Sequence, residues 1–126
     1  MAPLPSPFEE VVARFNAGEF RACVEPLEVL FFADRNTFYQ GLLHLVVALL
    51  QLQRGMIRGP RIRLGSAAEL LAPYAPWHRG VEVAGLLASL QACRERLPEG
   101  VVELTAGEVQ ALGLPEFRLD VTARRG

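Results

Sequence analysis

Cysteine is scarce in this chain, and what is scarce or missing beside it narrows the classes open to the protein. Cys23 and Cys93 are the only two, 70 positions apart. That is neither a zinc-ligand spacing nor the dense framework of a small disulfide-stapled domain, so two reduced, buried thiols are expected. Lysine is absent altogether: the 13 basic residues are all arginine, set against 14 acidic ones. A balance so close to neutral argues against a disordered tail and against a surface that recruits nucleic acid by charge, and no nucleic-acid partner is expected. Long apolar runs are missing too. From Leu42 to Leu50 nine residues run with one polar interruption, whereas a membrane span needs about twenty apolar residues. The opening MAPLPSPFEE has neither a basic stretch nor a long apolar one, so no secretory signal is read and the cytoplasm is the expected compartment.

The signatures of catalysis are equally thin. No second histidine stands three or four positions from His44, no third carboxylate clusters with Glu25 and Glu28, and no nucleophile has a paired base. No cofactor or metal motif is read. There is no internal repeat, and no low-complexity tract beyond the proline-rich start. At 126 residues the chain suits one domain burying roughly two-thirds of its unfolded surface without metals or disulfides.

What the sequence does contain is helical pattern, and an all-α bundle of about five helices is expected. Its centre is Phe38 to Gly55, FYQGLLHLVVALLQLQRG, whose apolar residues leave too narrow a polar face for a surface helix; residues 38–54 are expected to be the buried central helix. Ser6 as cap, Pro7 at the first helical position and Glu9 as a capping-box partner open a first helix to about Ala17, with Phe8, Val11, Val12 and Phe15 on one face. Glu19 to Ala33 reads as a second helix with Phe20, Cys23, Val24, Leu27, Leu30 and Phe31 inward, broken into two pieces near Ala22 to Glu25 because Pro26 removes a backbone donor. Asp34 or Asn36 caps the central helix, and the short link makes helices two and three an antiparallel pair. A fourth helix runs from Pro60 to about Ala72. A loop, Pro73 to Gly80, and a fifth helix, Val81 to Leu97, follow. The core bundle is placed at residues 7–98 and an appendage at 99–126, in which Val101 to Leu104 and Phe117 to Val121 look like short strands able to pair as a ribbon, on either side of a capped turn, Thr105 to Leu112.

The residues Phe15-Asn-Ala-Gly-Glu-Phe20, Glu25, Leu27-Glu28, Phe38, Gln40-Gly-Leu-Leu-His-Leu45 and Leu50-Gln-Leu-Gln-Arg-Gly55 together resemble a prokaryotic family of small helical proteins, domain of unknown function 309, over about residues 8 to 97. The resemblance implies a compact all-helical bundle with no established biochemical role. The family's H-E-x-L-E histidine is Val24 here, its carboxylates persist as Glu25 and Glu28, Pro26 stands between them, and its tryptophan is Phe31.

One candidate site follows. At 100° per residue Gln40, His44 and Gln51 lie within about 40° of each other on the central helix, a narrow polar seam that something must satisfy. Glu25 and Glu28 are adjacent at i, i+3 and, across an antiparallel helix pair, would face it; Glu25 is expected nearest His44, raising its pKa. Such a set has the makings of an acid/base pair or a divalent-metal site. The arginines concentrate at Arg54, Arg58, Arg61 and Arg63 and again at Arg124 and Arg125, and the first group is read as a solvated helix start or as an anion-binding patch. His78 is expected at the surface, and Tyr74 and Trp77 in the same loop as interface aromatics or, equally, as a cover for the bundle end. Two functions are weighed: a non-catalytic module that forms a homodimer or binds another protein, and a small metal-dependent or acid/base hydrolase-like enzyme at Glu25, Glu28 and His44.

Overall fold

The computed structural model describes residues 6–121; Arg124, Arg125 and the start of the proline-rich opening lie outside them. Helix α1 spans Pro7–Asn16 and begins as the sequence dictates: Ser6 Oγ accepts from Glu9 N, and the Glu9 carboxylate accepts from Ser6 N. Val11, Val12 and Phe15 form its buried face, and Gly18, at φ +79°, turns the chain back. Helix α2 spans Arg21–Asp34 as one continuous helix, not the two pieces expected. Pro26 is its sixth residue, so only one intrahelical bond, to the Ala22 carbonyl, is forfeited, and the packing of Cys23 and Leu27 outweighs it. The expected inward stripe is present: Cys23 and Leu27 are buried at its centre, and Phe20, Val24, Leu30 and Phe31, half-buried, pack against the core at its margins.

Helix α3, Thr37–Gln53, starts where Asn36 Oδ1 accepts from Phe38 N at 2.7 Å. It is the centre of the fold. Leu42, Leu45, Val46 and Ala48 are fully buried, and α3 packs most extensively on α4 (Arg58–Leu71) and then on α2. Gly41 lets the α3 and α4 backbones approach, since a Cβ there would meet Leu71 Cγ at 2.7 Å. After α4 a single 3₁₀ turn, Ala72–Tyr74, leads into a hairpin that the sequence reading assigned to loop and helix. Strands β1 (Trp77–His78) and β2 (Val81–Glu82) pair antiparallel, joined by Arg79 and Gly80, both at positive φ, the geometry that two-residue hairpin turns demand. Helix α5, Val83–Arg96, buries Val83, Leu86, Leu90 and Cys93.

The two C-terminal segments expected to pair with each other do not. Residues 101–104 lie against the turn after α3, with Ile57 N donating to Val102 O and Leu104 N to Gly55 O, both at 2.8 Å. Residues 117–121 lie against the hairpin, with Glu82 N donating to Asp120 O at 2.9 Å, and Asn16 clamps Leu119 through both its side-chain amide groups. Helix α6, Ala106–Ala111, separates them and carries the expected Thr105–Glu108 capping box. Each segment alternates in polarity because one side covers the bundle. Leu119 is accordingly 1% exposed. No described helix is long and apolar enough to cross a membrane.

Candidate functional site

The polar stripe of α3 turns toward α4. His44 is half-buried, and its Nδ1 is shut off from solvent with no protein hydrogen-bond partner. Gln51 buries its side-chain oxygen in the same way, lying beside Gly59 of α4, where an added Cβ would stand 3.4 Å from it. Arg63 follows one turn later on α4 and its Nε is likewise buried without a partner. Gln40, half-buried, extends the stripe toward the start of α3.

A guanidinium, then, and not a carboxylate, is the charge that bears on His44. Burial first, and Arg63 second, hold its imidazole below the usual range, the opposite of the upward shift expected from Glu25. Glu25 and Glu28 are exposed on α2, and no hydrogen bond or ion pair joins either to His44. The reason is angular. Glu25 lies two positions from both Cys23 and Leu27, the buried residues of α2, which puts it about 200° from each around the helix. Among the described residues no group of three or more His, Cys, Asp or Glu has the arrangement to hold a metal. The fold thus separates the two glutamates from the seam.

Of the loop residues, His78 departs from its expected surface position. His78 is half-buried, its ring 4.6 Å from those of both Phe38 and Tyr74, and burial, with Arg79, lowers its pKa. Tyr74 packs edge-on against Phe38 and its hydroxyl sits 2.7 Å from Thr37 Oγ1, so it closes the bundle end. Trp77, 40% exposed, is held in β1. Of the arginine group, Arg61 pairs with Glu99 at 2.8 Å, Arg54 and Arg58 are exposed, and Arg63 enters the seam. Cys23 and Cys93 are free and buried, and burial pushes both thiols up to about 11, which keeps them protonated and unreactive.

Both histidines make the fold acid-sensitive. Their folded-state pKa values lie below the ordinary imidazole value, so the unfolded chain binds protons more readily. Stability is therefore fully present above about pH 6.5 and falls as pH drops through that value toward the folded ones. Urea midpoints are expected to fall from about pH 7.5 to about 5.5 in the parent and to fall less in a His44→Gln/His78→Asn variant. A parent midpoint that rises on acidification would contradict the burial of both rings.

What sequence reasoning missed is the outer face of α2. Val29 is 59% and Phe32 61% exposed, and Arg35 stands over the Phe31 and Phe32 rings at 5.6 and 5.2 Å. The signal was present: of two consecutive phenylalanines on a helix, only one can face the core.

Residues 8–62 match the family model of a domain of unknown function, DUF309. The matched stretch, shorter than the resemblance expected to residue 97, holds α1, α2, α3 and the opening of α4. The DUF309-like part therefore contains both sides of the His44 seam as far as Gly59, and the whole exposed face of α2; the hairpin, α5 and the C-terminal segments lie beyond it. No curated protein and no solved structure matches the chain.

Proposed function

We propose that the chain is a non-catalytic, cytoplasmic helical module that forms a homodimer through the outer face of α2. The observation that carries this reading is the exposed pair Val29 and Phe32, spaced i, i+3 on a helix whose opposite side already meets α1 and α3. Ala33 extends the apolar surface, and Glu25 and Arg35 mark its two ends. A second copy is the occupant with matching charge: in an antiparallel α2 pair centred near Leu30, Glu25 of each copy comes opposite Arg35 of the other, and the two apolar pairs meet between them. Full burial of a Val or Phe contributes about 1.5–3 kcal/mol. Four such side chains give at most roughly 6–12 kcal/mol, against an association cost of about 4–15. The two ranges overlap, so the dimer proposed is a weak, reversible and concentration-dependent one.

Light scattering across the micromolar range is expected to show the mass climb toward twice the 13.9 kDa chain. Phe32→Glu should hold it at one chain without changing the helical circular dichroism. A parent that stays at one chain mass at every concentration, or a Phe32→Glu variant that still dimerises, would sink the reading.

A further inference from the structure

We propose that a cleft between the α1–α2 turn and the end of α3 binds a small organic anion, a phosphate or carboxylate group carried on an apolar body. The cleft has a volume of about 530 Å³, within the range of roughly 300–1,000 Å³ in which small-ligand sites fall. Arg14, Arg21 and Arg54 line it, with Glu19 as the one carboxylate, while Phe20 and Leu50 supply apolar surface. The acidic residue does not neutralise the set. Glu19 pairs with Arg14 at 3.5 Å, and Arg14 also reaches Glu10 at 3.3 Å; among the described residues no ion pair or hydrogen bond engages the side chain of Arg21 or Arg54.

Two arginines engaged by no carboxylate, lining one concavity from the start of α2 and the end of α3, are a local positive excess in a chain whose net charge is −1. The planar guanidinium fork is the side chain best matched to a phosphate or carboxylate. The start of α2 at the cleft edge has no side-chain cap and no acidic residue in its first turn, so its positive end adds to the arginine field. The apolar side chains set the class of ligand further. Inorganic phosphate would use the arginines alone, whereas an aryl or alkyl phosphate or carboxylate would also cover Phe20 and Leu50.

Phenyl phosphate is the probe, with inorganic phosphate (head without body) and phenol (body without charge) as comparators, all titrated into the full chain by calorimetry. Phenyl phosphate is expected to bind more tightly than either comparator. Its affinity should fall by about tenfold or more in Arg21→Gln/Arg54→Gln, a change that alters exposed side chains only, and should be unchanged in Arg58→Gln, which removes an exposed arginine outside the cleft. Amide NMR spectra establish that the variants remain folded, and in the parent the resonances that move should be those of the cleft. No binding of phenyl phosphate at millimolar concentration, equal affinity in the double variant, an equal loss in Arg58→Gln, or inorganic phosphate binding as tightly as phenyl phosphate would each overturn the proposal.

Discussion

Replacing Leu45 by alanine is expected to lower the unfolding free energy by about 2–5 kcal/mol. Leu45 is fully buried at the middle of α3, and its neighbours Leu42, Val46 and Ala48 are fully buried as well, so the space left by three lost carbons has no flexible surface side chain to collapse into it. The cost combines the lost transfer free energy of those carbons with a cavity that the surrounding helices cannot close. Against a total stability of about 5–15 kcal/mol for a domain of this size, such a loss is a large fraction. Val29→Ala is the contrast. It removes a similar apolar group from a side chain that is 59% exposed, and a change within about 0.5 kcal/mol is expected. Urea denaturation of the two variants beside the parent decides the matter, and a loss below about 1 kcal/mol for Leu45→Ala would remove α3 from the centre of the core.

That α3 is the centre was readable because periodicity and burial are the same fact seen twice: a helix apolar on nearly every side has nowhere to go but inside. Caps were readable for a similar reason. Ser6, Asn36 and Thr105 each satisfy a backbone donor within three residues of themselves, so local sequence carries the whole interaction. The candidate site was half legible. The stripe of Gln40, His44 and Gln51 is a property of one helix, and it does face a neighbour. Which neighbour depends on how α2 and α4 divide the circumference of α3, and that division is made by tertiary packing, with Gly41 and Gly59 admitting α4 closely on that side. The sequence reading assigned the stripe to α2 because the short link between them makes α2 and α3 an antiparallel pair and α2 carries Glu25 and Glu28.

The C-terminal segments failed for a related reason. Alternating polarity at 101–104 and 117–121 reports one covered side and says nothing of what covers it. Residues 101–104 found the turn after α3, and residues 117–121 found the β1–β2 hairpin and Asn16, 103 positions away. A strand pattern and a covering arm look alike until partners are known. The exposed face of α2 was missed in another way: Val29 and Phe32 were left off the inward stripe, and nothing was made of the second apolar face that they form together, 100° from Phe31 in the case of Phe32.

Gly55→Ala is expected to cost about 2–5 kcal/mol, more than its small size implies. Gly55 ends α3 at φ +83°, a conformation that costs an L-residue roughly 1–2 kcal/mol. The larger effect is steric: a Cβ at this position would stand 2.3 Å from the backbone oxygen of Leu104, and a backbone oxygen cannot swing aside as the end of a side chain can. Relief requires the 101–104 segment to move away, which breaks the bonds Leu104 N to Gly55 O and Ile57 N to Val102 O, each contributing about 0.5–1.5 kcal/mol. Gly18→Ala separates the two effects, since Gly18 has nearly the same φ, +79°, but open space where its Cβ would go; it should lose only the conformational part. Hydrogen exchange supplies a local readout, with the Ile57 and Leu104 amides expected to exchange faster in Gly55→Ala and unchanged in Gly18→Ala. Equal losses of stability in the two variants, with both amides still protected, would mean that the arm is not held at this turn.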